Sequence, residues 1–240
     1  YLSPAVAAVI ADQPEEADQL LGGQLTDVVI LMSDIRGFTA FTQEMTEQGN
    51  VKKLVTRLNQ YFSEVVDAVH SEEGTVDKFI GDAVLAVFGA PLQKSRNANV
   101  LAAVRTAVSL HKRLSQLNDE WSADGQRPWQ QVVVLSYGWV VSGNIGSASR
   151  MDYTVIGDAV NLTLRVESVT TYYGTPILVR DLTLRRLADV EHVREVDRIR
   201  VKGKTEAVTL YESYAWRSER LSDDINRSYA LQQSGLERFR

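Results

Sequence analysis

The sequence predicts an α+β fold in which helices cover a mostly antiparallel sheet, and three observations predict it. The run Val28-Val29-Ile30-Leu31-Met32 is apolar at five consecutive positions, the pattern of a strand buried on both faces. Thr75 to Phe88 forms two short apolar stretches around Ile80-Gly81, the pattern of a hairpin. Apolar residues recur at helical spacing over 43–71 and 95–120, on either side of that hairpin.

In chain order, residues 1–24 read as a connector, with Pro4, an acidic stretch over 12–18 and a Gly22-Gly23 break. The first strand stops at Ser33-Asp34, Gly37 breaks it, and Phe38 to Phe41 starts a helical segment. One long amphipathic helix is expected over 43–71, with Asn50 as a candidate cap and Val51, Leu54, Val55, Leu58, Tyr61, Phe62, Val65, Val66 and Val69 at its apolar positions. Gly74 ends it. The hairpin follows, then the 95–120 helix, then a polar loop over 122–130 containing Gly125 and Pro128. Gln131 to Val141 is a Val-rich strand, and Gly143-Asn144-Ile145-Gly146 is expected to be a turn. Tyr153 to Ile156 is extended and leads through Gly157-Asp158 into a helix over 159–172. Strands are expected at 176–180, 193–201 and Val208 to Tyr214. The ferredoxin-like βαββαβ plan fits the first six elements, with additional C-terminal strands. The expected domain therefore spans 25–216, followed by a polar tail over 217–240.

Composition narrows the function. With 44% hydrophobic and 24% charged residues the chain can bury an ordinary core. A net charge of −5 without a Lys/Arg cluster argues against nucleic-acid binding. The absence of cysteine excludes a disulfide framework, a thiolate metal site and a cysteine nucleophile. No apolar run approaches the roughly 20 residues of a membrane helix. The chain begins with Tyr, as expected for a piece of a longer protein.

Two acids stand out. Asp34 ends the first strand, and Asp82 opens the second strand of the hairpin. In the βαββαβ plan those strands are neighbours, so both carboxylates emerge at one edge. Converging acids repel unless a cation lies between them, and a hard divalent ion held by one or two carboxylates plus substrate phosphate suits such a pair. Spacing alone leaves open that Asp34 caps a helix and that the two acids are unrelated. Asn161 and Arg165 lie four apart and share a helix face, which fits either phosphate and sugar recognition or a solvated surface. His70, His111 and His192 lack metal-ligand spacing, and the glycine-rich phosphate loops are missing.

Taken together, SDIRGFT, DKFIGDAVLAVFGAP, GNIGS, DYTVIGDAVNLTLRVE and VKGK, in that order, resemble the class III nucleotidyl cyclase catalytic domain. The resemblance runs from about Asp27 to Tyr214. It implies conversion of ATP to 3′,5′-cyclic AMP and pyrophosphate. It implies that Asp34 and Asp82, with the Ile35 carbonyl, hold two Mg²⁺ or Mn²⁺ ions. Lys78 and Thr154 match the positions that read the purine, in the adenine-selecting pattern; Thr154 is similar to the bicarbonate-responsive subclass. Asn161 matches the ribose-orienting residue and Arg165 the one that stabilises charge on the α-phosphoryl group. Lys202 matches the triphosphate-binding lysine, with Lys204 as the alternative. The resemblance further implies a head-to-tail homodimer in which Asp34, Asp82, Lys78 and Lys202 of one chain meet Asn161 and Arg165 of the other. An upstream sensory or dimerising segment and a cytoplasmic catalytic domain are expected with it. Leu164, Tyr137 and Trp139 depart from the usual pattern. The competing readings are a guanylyl or relaxed-specificity cyclase and an inactive nucleotide-sensing module. A diguanylate cyclase is disfavoured because its GGDEF-type sequence is missing.

Overall fold

A computed structural model describes residues 22–147, 149–180, 193–201, 206–213, 227–232, 234–235 and 238, with isolated positions 7 and 11. The connector expected over 1–24 and the tail over 217–240 fall largely outside these residues, as do His192, Lys202 and Lys204.

The elements are β1 (Gln24–Ile35), α1 (Phe38–Glu47), α2 (Val51–Ser71), β2 (Thr75–Ile80), β3 (Ala83–Phe88), α3 (Arg96–Ala123), β4 (Gln131–Ser147), β5 (Arg150–Ile156), α4 (Asp158–Tyr173), β6 (Ile177–Arg180), β7 (Val193–Ile199) and β8 (Val208–Ser213). All eight strands form one sheet, ordered β2-β3-β1-β4-β6-β8-β7, with β5 on the far half of β4. Only the β4–β6 pair is parallel. The first four strands have the β4-β1-β3-β2 order of the βαββαβ plan.

Strand alternation explains why β1 and β4 are continuously apolar. Val29, Leu31, Val133 and Leu135 face the helical layer of α2 and α3. Val28 and Ile30 face the opposite layer with Ala159 and Val160 of α4. Val132 and Val134 pack there against Leu162 and Val166. Both faces of the sheet centre are therefore covered, and each fully buried aliphatic contributes roughly 1.5–3 kcal/mol. Helix α4 comes close to β4 because residue 138 is glycine: a Cβ there would lie 2.6 Å from the Ala159 Cβ. On the other face the Arg57 guanidinium lies 4.0 Å from the Trp121 ring centre and 4.3 Å from that of Trp129, and bonds the Arg127 carbonyl at 2.9 Å. Burial lowers its pKa to about 10, which leaves it charged at neutral pH.

Two expectations need correction. The helix expected over 43–71 is two helices, parted at Gln48-Gly49-Asn50, where Gly49 takes a φ of 72°. Asn50 occupies the cap of the second without a side-chain cap bond. The segment Gly143-Asn144-Ile145-Gly146 is not a turn but part of β4, paired with Thr154, Tyr153, Asp152 and Met151. Its glycines serve close backbone approach, since a Cβ on Gly146 would meet the Arg150 carbonyl oxygen at 2.1 Å.

His111 of α3 is largely buried, and burial lowers its pKa to about 4, opposed by its bond to the Pro176 backbone. The folded protein therefore resists protonation there, and stability is lost as pH falls below the unfolded value near 6.5. Chemical denaturation is expected to show about 2 kcal/mol less stability at pH 5 than at pH 7 from this group. His111→Gln is expected to remove that share of the pH dependence.

Candidate active site

The end of β1 and the start of β3 meet as the plan requires. Ser33 pairs with Val84 in an antiparallel ladder, which sets Asp34 beside Asp82 across the hairpin turn. Asp34 is half-buried, and its pKa is raised to about 7 by burial first, then by the charges of Asp82 and Glu167 and by its bond with Asp82. Glu167 is raised too, by burial, with Arg36 and Asp34 opposing. The edge thus holds more negative charge than its surroundings compensate. Hard oxygen donors in that condition fit a Mg²⁺-type ion, which takes one or two carboxylates and completes its shell with water and substrate phosphate. Among the described residues, no group of three or more His, Cys, Asp or Glu side chains could by itself hold a metal ion.

The floor beneath the acids is rigid. Ser33 and Tyr61 share a hydroxyl–hydroxyl bond, and the Tyr61 hydroxyl donates to Gln131 Oε1 at 3.1 Å. Arg36 follows Ile35 directly and donates to Thr171 Oγ1 at 2.7 Å. Glu167 and Thr171 lie four apart on α4, so Arg36 braces that helix against the acidic edge.

Lys78 and Thr154 come together from β2 and β5. The Lys78 ammonium donates to Thr154 Oγ1 at 2.9 Å. They share a cavity of about 510 Å³ with Asp77, Phe79, Asp152 and Tyr153. Asn161 and Arg165 are exposed on α4, while Leu162 and Val166 of the same helix point into the core. Arg165 lines a separate cavity of about 410 Å³ with Tyr172, Tyr173, Arg200 and Val201. Lys202 and Lys204, expected to bind the triphosphate, lie outside the described residues.

The structure therefore joins the expected residues in three places: Asp34, Ile35 and Asp82; Lys78 and Thr154; and Asn161 with Arg165. Sequence reasoning missed Arg36, Asp77 and Glu167. The i, i+4 placement of Glu167 and Thr171 was available as a signal, whereas nothing in the spacing marked Asp77.

Tyr137 and Trp139, unusual for the pattern, have distinct roles. The Tyr137 hydroxyl donates to Asp27 Oδ2 at 2.7 Å, under the Arg96 guanidinium. Trp139 is 55% exposed.

The adenylate and guanylate cyclase catalytic domain model matches residues 22–212, and the chain belongs to that family. It is 34% identical over 212 residues to an adenylate cyclase of Anabaena cylindrica, covering 85% of this chain and 40% of that protein. Among solved structures it resembles the adenylyl cyclase CyaB from P. aeruginosa, with a TM-score of 0.74 and 32% identity over 83% of this chain and 98% of that one. It also resembles the guanylyl cyclase Cya2, with a TM-score of 0.71 and 34% identity over 80% and 93%. The chain spans less than half the length of three curated relatives named adenylate cyclase that it matches, at 40%, 27% and 8%.

Proposed function

We propose that the domain is an adenylate cyclase that forms 3′,5′-cyclic AMP and pyrophosphate from ATP at sites shared between two copies of the chain. The observation that carries the choice of base is the Lys78–Thr154 bond beside the cavity. A lysine donates to an adenine ring nitrogen and a hydroxyl accepts from the 6-amino group, whereas guanine presents the reverse polarity. Asp34, Asp82 and the Ile35 carbonyl would hold divalent ions, which when bound supply activation of the ribose 3′-hydroxyl and neutralise phosphate charge. Asn161 orients the ribose by hydrogen bonding. Arg165 sets its planar fork against the α-phosphoryl oxygens, and Lys202, or Lys204 in its place, neutralises the outer phosphates. Within this reading Thr154 resembles the second purine-reading position of the bicarbonate-responsive subclass.

The shared site is supported by an apolar stripe. Trp139, Val141 and Ile145 alternate along β4 on one face, and Ile156, paired with Val141, joins them; all four are exposed. Thr154 lies on that same face of β5, so a second copy covering the stripe would also close the base pocket. No described helix is long and apolar enough to cross a membrane. The proposed setting is the cytosol, where ATP is found, with a regulatory segment elsewhere in the parent protein.

The test is product formation from ATP and from GTP, with Mn²⁺ and with Mg²⁺, over a range of protein concentrations. Cyclic AMP rising faster than linearly with concentration is the expected result. Cyclic GMP as the main product would make the domain a guanylyl cyclase, a reading that the likeness to Cya2 keeps in play. A confirmed dimer with no product would make it a nucleotide-sensing module.

A further inference from the structure

A third cavity, of about 360 Å³, has no part in the proposed reaction. One face of α3 between His111 and Asn118 forms a wall, and residues 129–131 leading into β4 and 174–176 leading into β6 form the rest. Arg36, next to Ile35 in the chain, completes the lining. The cavity shares no lining residue with that of Lys78 and Thr154 or with that of Arg165.

Two polar groups of this lining are buried and unsatisfied. Thr175 is 2% exposed, and its hydroxyl has no hydrogen-bond partner among the described residues. Gln131 is 4% exposed, and its Oε1 accepts from the Tyr61 hydroxyl, whereas its amide nitrogen has no partner among them. Buried hydroxyls and amides are costly in that condition and are met by water or by a ligand. Size favours the ligand. One water takes up roughly 30 Å³ of liquid, and cavities from about 300 Å³ upward are the small-molecule class.

Charge selects the kind of ligand. Among the described residues no Asp or Glu lines the cavity. His111 is neutral at neutral pH, since burial lowers its pKa to about 4, so the positive charge comes from Arg36. Glu167 also feels that charge, but it lies on α4 and is not part of the lining. Arg36 is anchored by its backbone N–H to the Gln130 carbonyl at 2.8 Å and by one guanidinium nitrogen to Thr171 Oγ1 at 2.7 Å. Its remaining N–H groups, the Gln131 amide and the Thr175 hydroxyl are all donors. Donors around a guanidinium with no facing acid suit a carboxylate, and Leu114 and Pro176 add apolar wall.

We propose that this cavity binds a small organic carboxylate, with its charged group on Arg36, Gln131 and Thr175 and its apolar body against Leu114 and Pro176. The occupant sits beside the strand end that carries Asp34. Gln131 pairs with Ile35 in the β1–β4 ladder, and Tyr61, which donates to Gln131, also bonds Ser33. Occupancy is therefore felt at the metal edge without competition for the nucleotide cavity. Binding itself is independent of the cyclase reading, whereas the effect on turnover rests on it.

The experiment titrates the full chain with 4-fluorobenzoate and with its neutral counterpart 4-fluorobenzamide, followed by fluorine NMR. The acid is expected to bind wild type with a Kd of about 1 mM or tighter, the scale for a ligand of about ten heavy atoms. The amide is expected to bind roughly tenfold more weakly. Thr175→Val, which keeps the side-chain shape, should weaken the acid about fivefold, and Arg36→Gln roughly tenfold or more. Ser115→Phe fills the cavity from an exposed position of α3 and should abolish binding. With saturating Mn²⁺, the acid is expected to change kcat and leave KM for ATP as it is. No binding to folded wild type, the result for a cavity that takes water alone, would overturn the proposal. Equal binding of acid and amide would overturn it too, as would full binding by Ser115→Phe or competition with ATP. Binding with the expected variant pattern in a protein that forms no cyclic nucleotide would uphold the site and remove the cyclase reading.

Discussion

Asp34→Asn is expected to lower turnover on the order of a thousandfold, the scale of losing a group preorganised for developing charge. The same change is expected to make the metal-free protein more stable above pH 7. Asp34 has its pKa raised to about 7 in the fold, against an ordinary value of 3.8. The folded protein therefore holds that proton more tightly than the unfolded chain. The resulting stability is complete below the unfolded value and is lost as pH rises through about 7. Above that point the ionised carboxylate faces Asp82 and Glu167 unneutralised, and the neutral amide removes that repulsion. Thermal unfolding at pH 8 would check both halves: Mn²⁺ should raise the melting temperature of the wild type far more than that of Asp34→Asn. Equal Mn²⁺ shifts in the two proteins would remove Asp34 from the metal site.

Mixing two inactive variants is expected to restore activity. In the proposed homodimer, each site takes Asp34 from one chain and Arg165 from the other. Asp34→Ala and Arg165→Ala should each be nearly silent alone. After random exchange half the dimers are mixed, and each mixed dimer has one intact site and one doubly damaged site. Recovery should therefore approach about a quarter of the wild-type rate, as two-fold symmetry dictates. Recovery near zero, with exchange verified by a size or tag assay, would place both residues in the same chain's site. Arg165→Lys is expected to rescue poorly, because an ammonium does not reproduce the planar fork.

Much of the fold could be read from periodicity because the sheet centre is buried on both sides. Val28 to Met32 could only be a doubly covered strand, and the Ile80-Gly81 turn fixed the hairpin that brings Asp82 to Asp34. The segment 143–146 misled because glycine serves two ends. Its residues suggested a turn, but β5 pairs with β4 there so closely that side chains do not fit. The break at Gly49 shows only as a phase change, since the buried Met45 of α1 and Leu54 of α2 are nine residues apart, half a turn out of phase, and a stripe counted from Leu54 onward does not show it. For the site, Asp34, Asp82, Lys78 and Thr154 were legible as ordered motifs, and the structure brings them together in the expected pairs. Asp77 and Glu167 were not. One depends on a strand bulge and the other on a helix packed against a strand end more than a hundred residues earlier, neither of which leaves a local mark.

The pairing of β1 also bears on how the chain is made. Val29 lies opposite Phe88 on one side and Tyr137 on the other, the latter more than a hundred residues downstream. During synthesis β1 leaves the ribosome before the other seven described strands and gains its second neighbour late. Until β4 emerges, one edge of β1 is an open template for any extended segment nearby. Helices α2 and α3 can already cover one face by then, whereas α4 cannot. The nascent protein thus passes through a stage with a half-covered sheet, and ribosome-bound chains that stop before residue 131 should be the aggregation-prone ones.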